Sequence, residues 1–146
     1  MRIREGQALA EDIRQRNQNI LKTIDAIETR SPLVVSEHME RMKKRIQELN
    51  QDLAIDENRL LQEVAVFADR TSIAEELVRM KSHCSQMEEL LLSTEPVGRK
   101  CDFLLQEMFR EVNTIASKAN DLFINRTVVE LKAELEKIRE QVQNVE

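Results

Sequence analysis

Apolar residues recur along this chain at steps of three and four with few interruptions, the period of helices that each bury one stripe. Ile13, Ile20, Ile24 and Ile27 make the first stripe, in a helix expected from about Ile3 to about Arg30. Ser31-Pro32 is expected to end it, because the residue before a proline avoids helical geometry. Val35, Met39, Met42, Ile46, Leu49 and Leu53 then alternate at four and three over a second helix, from about Val34 to about Leu53. That is the spacing of a coiled-coil seam. So short a connection between two long amphipathic helices predicts an antiparallel hairpin over residues 1–55.

Asp56 is placed to cap a third helix carrying Leu60, Leu61, Val64 and Ala68. Ser72 with Glu75 three positions on reads as a capping box, so a restart is expected near Arg70-Thr71. Ile73, Leu77, Met80, Cys84, Met87 and Leu91 form the next stripe. The segment STEPVG interrupts it, with Pro96 suited to an early helical position and Gly98 to a tight turn. Beyond it Cys101, Leu104, Leu105, Met108, Val112, Ile115 and Ala119 line one helix. Val128, Leu131, Leu135, Ile138, Val142 and Val145 line the last, from about Arg126. The expected fold is all-α: long antiparallel helical hairpins forming a helical bundle with coiled-coil-like seams, one domain over residues 1–146. Seams this narrow also predict self-association.

Composition narrows the picture. Two Gly and two Pro in 146 residues leave few turns, which argues against a sheet protein. A net charge of -5 lacks the basic footprint of a typical nucleic-acid binder but leaves room for a local basic strip. Cys84 and Cys101 fall on apolar stripes and read as buried thiols of a reducing compartment. The charged N-terminus has no signal-peptide core, and no apolar run approaches the ~18 residues of a spanning helix. A soluble, cytoplasmic protein with no membrane partner is expected.

Candidate chemistry concentrates on the helix from Gly98 to Asp121. Glu107, Glu111, Thr114 and Lys118 stack on one stripe, with Gln106, Arg110, Asn113 and Ser117 beside them. Carboxylates at i and i+4 can share a divalent cation, and Arg110 and Lys118 can hold a phosphate. The competing reading is a solvated face of ion pairs, which is commoner on helices. Glu76, Arg79 and His83 share a face of the preceding helix, where His83 suits a general base or metal ligand and otherwise an ordinary boundary residue. His38, among Glu37, Glu40 and Arg41, reads as surface, and so does the run Arg41, Lys43, Lys44, Arg45. Arg99-Lys100 at a helix start suits a backbone phosphate or, equally, plain solubility. The chain has no Gly-rich phosphate loop, Cys/His metal spacing or nucleophile elbow, so many enzyme classes are excluded.

The stretches RLLQEVAVFADR, IAEELVRMKSH, EPVGRKCDFLLQEM, REVNTIASKAND and VVELKAELEKIREQVQNVE resemble, in this order, the signature blocks of the C-terminal domain of the YicC/YloC endoribonuclease family. They run from about Arg59 to Glu146, within a helical region over residues 56–146, and the segment beginning REGQALAEDI is similar to the family's lead-in. The resemblance implies a C-terminal portion of a longer chain, with the family's N-terminal α/β domain absent and Met1 internal or added. It implies a bacterial cytoplasmic endoribonuclease linked to stress and stationary phase, cutting single-stranded or small regulatory RNA with help from Mn²⁺ or Mg²⁺. A homo-oligomer, a hexamer when full-length, is implied as well, and no DNA partner. A non-catalytic RNA-binding, ribonuclease-adaptor or oligomerisation scaffold is the alternative.

The polar positions that match the family are Glu63, Asp69, Glu75, Glu76, Arg79, Ser82 and His83, then Gly98, Arg99, Lys100, Asp102, Gln106, Glu107, Arg110, Glu111, Asn113, Thr114, Ser117 and Lys118. From these, His83, Glu76, Glu107 and Glu111 are the expected catalytic residues, and Glu107, Glu111 and Glu76 the expected metal ligands. Arg79, Arg99, Lys100, Arg110, Asn113 and Lys118 are expected to bind RNA. The chain departs from the pattern at Phe109, where the family usually has Asn, and at Ala116, where it usually has Gly. Cys84, Met87 and Cys101 replace larger apolar residues and are expected in the core.

Overall fold

Among the described residues five helices account for nearly all of the structure: α1 (Arg2–Leu49), α2 (Glu57–Thr71), α3 (Ala74–Leu91), α4 (Gly98–Lys118) and α5 (Leu122–Val145). The structure, a computed structural model, describes residues 2–49, 51–52, 54–94 and 96–145, and the side chains of all of these except 2, 3 and 145. The expected seam position Leu53 and the expected core side chain of Val145 lie outside the described residues. No helix among the described residues is long and apolar enough to cross a membrane.

The N-terminal half of α1 packs with α3, α4 and α5 as an up-down-up-down four-helix bundle. Cross-helix bonds set the directions. Asn17 of α1 donates to the Cys84 carbonyl of α3, and Lys81 reaches back to Glu28, so α1 and α3 are antiparallel. Arg79–Glu111 and Lys118–Glu76 fix α4 antiparallel to α3. Arg16–Glu134 and Arg30–Asp121 fix α5 against α1. The predicted stripes fill the interior: Ile13, Ile20, Ile24 and Ile27 meet Met80, Cys84, Met87, Leu105, Met108, Ile115, Leu131 and Leu135. Cys84, Met87 and Cys101 are buried as expected, and burial pushes the Cys84 thiol up to about 12, which leaves it inert at neutral pH.

The expected hairpin over residues 1–55 does not form. α1 is one helix of 48 residues that runs straight through Pro32. A proline inside a helix removes one bond and crowds the preceding turn. Here Pro32 and Glu28 both lie on the exposed side, where water can serve the carbonyl left without a donor. The buried stripe meanwhile continues without a change of face, from Ile27 to Val34 one heptad later. Arg30 adds a clamp across the proline. Its guanidinium donates to both Glu37 oxygens, at 2.9 and 2.6 Å, and to both Asp121 oxygens, at 3.1 and 2.9 Å. The local penalty of proline is thus offset by burial along the stripe together with this clamp.

α2 lies against the second half of α1. Met42, Ile46 and Leu60 line one small cavity there, and His38 stacks on buried Phe67 with ring centroids 3.6 Å apart. His38 is thus a packing residue rather than plain surface. Burial, then Arg41 and Arg70, lower its pKa. Leu49 and Leu61, both expected on apolar faces, are exposed.

Helix ends explain the remaining boundaries. Asp56 caps α2 by accepting from the Arg59 N–H at 3.2 Å, as the sequence predicts. α3 restarts where expected, but Ile73 is its N-cap and no side chain caps it, so the Ser72/Glu75 capping box is not made. Pro96 stands just outside α4 rather than in its first turn. α4 ends at Lys118 with Ala119 as its C-cap, and Asn120 just beyond adopts φ 47°, a left-handed conformation that asparagine tolerates after a helix. Asp121 then accepts from the Ile124 N–H, which starts α5 earlier than the expected Arg126.

Candidate functional site

The polar residues singled out in sequence project from α3 and α4, whose antiparallel packing sorts them into three places. Nearest the α4 C-terminus is an ion network whose carboxylates are buried and whose cations stay exposed on one side. Glu76 is 2% exposed and accepts from Lys118 Nζ at 2.7 Å. Glu111, 6% exposed, accepts from Arg79 Nε at 2.8 Å, and the same guanidinium lies 3.5 Å from Glu76. Burial raises the Glu76 carboxyl, but the Lys118 hydrogen bond, helped by backbone and Arg79, holds it below the usual carboxylate range. Glu111 in turn raises the Arg79 guanidinium. A carboxylate this buried persists only if paired.

These pairings divide the expected site. Glu76, Glu107 and Glu111 were expected to hold one cation together, yet among the described residues no three His, Cys, Asp or Glu side chains gather into a metal-holding group. Arg79 and Lys118, expected to grip phosphate, instead neutralise Glu111 and Glu76. The i,i+4 spacing put Glu107 and Glu111 on one stripe; only the packing of α3 decides that Glu111 turns under Arg79 while Glu107 does not.

The second place is a cavity of about 500 Å³ one turn further along the α3–α4 groove. His83, Glu107, Arg99 and Lys100 all line it, so four of the predicted residues do converge. Both ring nitrogens of His83 are out of contact with solvent and have no hydrogen-bond partner. Glu107 is partly exposed, and its ion-pair partner among the described residues is Arg110 at 3.8 Å, itself 74% exposed. Arg99 and Lys100 are exposed and form no ion pair among the described residues. Leu90 and Leu104 give the cavity an apolar wall, while Gln86, Glu89 and Phe103 complete it. Sequence reasoning did not single out those last three. Phe103 had a legible signal: it is four residues from both Arg99 and Glu107, off the arc that the core residues of α4 occupy.

Arg110 and Asn113 sit in the third place, a shallow polar depression between α4 and α5 with Gln106, Thr114, Ser117 and Arg139. Phe109, where the family usually has Asn, lies half-buried here with the Arg139 guanidinium 5.7 Å from its ring centre. That contact supplies a physical role for the departure, a cation held over an aromatic face. His38 is far from this groove in sequence and packs on α2, so the two histidines do not share a site.

Carboxylate pairing sets the acid stability. Asp121 is held below its usual range by the Arg30 hydrogen bonds, against burial, with the Ile124 N–H adding to the effect. Glu76 is lowered too. Both therefore bind protons more readily unfolded than folded, so their stabilisation is complete above the unfolded values of about 4 and is lost as pH falls through the folded ones. The melting temperature is expected to hold steady from about pH 7 to 5 and to drop below about pH 4, with a smaller drop in Glu76→Gln/Asp121→Asn. Circular dichroism melts across pH check it; an equal drop in the double variant would assign acid sensitivity elsewhere.

Residues 27–146 match the family model described as endoribonuclease YicC-like, C-terminal. A relative from Clostridioides difficile (strain 630), named probable endoribonuclease YicC, is 52% identical over 147 residues. One of the same name from Haemophilus influenzae is 39% identical over 146 residues. Each comparison covers 100% of this chain and 50% of the relative, so the chain spans about half the length of the curated relatives it matches. The chain belongs to the YicC-like endoribonuclease family and corresponds to its C-terminal domain.

Proposed function

We propose that this chain is the C-terminal domain of an oligomeric cytoplasmic endoribonuclease that cleaves single-stranded or small regulatory RNA in the α3–α4 cavity. The observation that carries the reading is that His83, with both ring nitrogens unpartnered, shares one cavity with Glu107 and two cations that have no ion pair among the described residues. In this reading Arg99 and Lys100 hold the scissile phosphate and its neighbour, balancing charge as the phosphorus becomes five-coordinate. Once its ring turns to present a nitrogen to the cavity, His83 accepts the proton of the attacking hydroxyl and returns a proton to the departing oxygen. The oxygen–phosphorus bond to the nucleophile forms as that to the leaving oxygen breaks.

A three-carboxylate metal site does not fit, because Glu76 and Glu111 are already paired. Glu107 remains. A Mg²⁺ or Mn²⁺ ion, when bound, would neutralise phosphate charge, and one carboxylate with substrate phosphate oxygens is an ordinary way of holding it. Glu76 and Glu111 are then positioning residues that tie α3 to α4 and set the width of the groove. Arg110 and Asn113, on the far side of α4, would guide the strand beyond the cut.

Single substitutions separate these roles. Cleavage of a labelled single-stranded RNA by the full-length protein is followed in Mn²⁺ and in EDTA. Glu107→Gln is expected to lose the response to Mn²⁺, and Glu111→Gln to keep it while melting at a lower temperature. Loss of the response in Glu111→Gln with unchanged melting would return the cation to the ion network. Binding without cleavage by the unsubstituted full-length protein, in either condition, would leave an RNA-binding scaffold.

A further inference from the structure

Phe103 is anomalous. The chain has only four aromatic residues, all Phe, and this one is 65% exposed. Phe67 is buried, Phe109 carries Arg139 over its ring, and Phe123, in the first turn of α5, is 47% exposed. Phe103 instead projects from the face of α4 nearly opposite the core, at the rim of the cavity that His83 lines. Arg99 precedes it by one helical turn and Lys100 by three residues, so two cations without an ion pair among the described residues stand one turn back along the helix from its ring. An exposed aromatic beside cations is the arrangement that holds unpaired nucleic acid: the ring stacks on a base, and the cations follow the backbone. A cavity of about 500 Å³ is within the usual range of small-ligand sites, and Leu90 and Leu104 offer the base an apolar wall.

Resting on the RNA-cleavage reading above, we propose that Phe103 is the specificity-determining residue of this cavity. It stacks on one unpaired nucleobase while Arg99 and Lys100 hold the adjoining phosphates. A base in a duplex is already stacked on its neighbours and cannot present its face to the ring, so the site selects single-stranded RNA.

The test uses the full-length protein and three fluorescent probes: a single-stranded RNA, the same RNA with one central abasic position, and the RNA annealed to its complement. The unsubstituted protein is expected to bind the intact single strand most tightly. Phe103→Ala is expected to bind it roughly ten- to a hundred-fold more weakly, the scale of one lost stacking contact. It should also lose the discrimination against the abasic strand, while Phe103→Trp keeps both. Retention of that discrimination in Phe103→Ala would overturn the inference, and so would dissociation of the oligomer by gel filtration, which would make Phe103 a subunit contact. In either case the cleavage reading stands as long as His83→Ala still abolishes cutting. Absence of RNA binding by the unsubstituted protein at low salt would sink both.

Discussion

Replacing His83 with alanine is expected to lower RNA cleavage by the full-length protein by about two to four orders of magnitude, the range supplied by a positioned acid–base group. The melting temperature should change by no more than about 2 °C. The asymmetry follows from the local structure. Neither ring nitrogen donates or accepts within the protein, so removing the imidazole breaks no hydrogen bond. The ring contributes to the cavity wall rather than to the fully buried interior. Cleavage assayed beside thermal melting checks both halves of the expectation. Unchanged cleavage would remove His83 from the chemistry, and parallel loss of cleavage and stability would make it a packing residue.

The opposite pattern is expected one position after Glu107. Met108 is 0% exposed and sits at the centre of the four-helix interior. Met108→Ala is expected to destabilise the domain by about 2–5 kcal/mol, since the transfer energy of the lost methylenes adds to the cavity left behind. At this chain length that corresponds to a fall of roughly 5–15 °C in melting temperature. Chemical denaturation should show a lower midpoint with an unchanged slope, the sign of lost stability rather than a changed unfolded state. Cleavage per folded molecule should remain, because Met108 does not line the His83 cavity. Adjacent residues 107 and 108 thus separate chemistry from stability on a single helix. A loss below about 1 kcal/mol would mean that neighbouring side chains collapse into the space.

Periodicity alone located the core. Every stripe residue from Ile13 to Ile27 is buried, as are Leu104, Met108, Val112 and Ile115, because only one face of an amphipathic helix can leave water. The family blocks likewise placed His83, Arg99, Lys100 and Glu107 on two helices joined by a short connection, and antiparallel packing brings them to one cavity. What the sequence could not determine is how each polar group is neutralised. Glu107 and Glu111 are equivalent by spacing, yet the neighbouring helix gives Arg79 to Glu111 and leaves Glu107 open to the cavity. Pro32 likewise reads as a stop, yet the stripe from Ile27 to Val34 stays buried and Arg30, bridging Glu37 and Asp121, clamps the helix across it. Burial patterns repeat within one helix and are legible in one dimension. Charge pairing and the tolerance of a proline depend on residues some 30 to 90 positions away in the chain, so only the tertiary structure decides them.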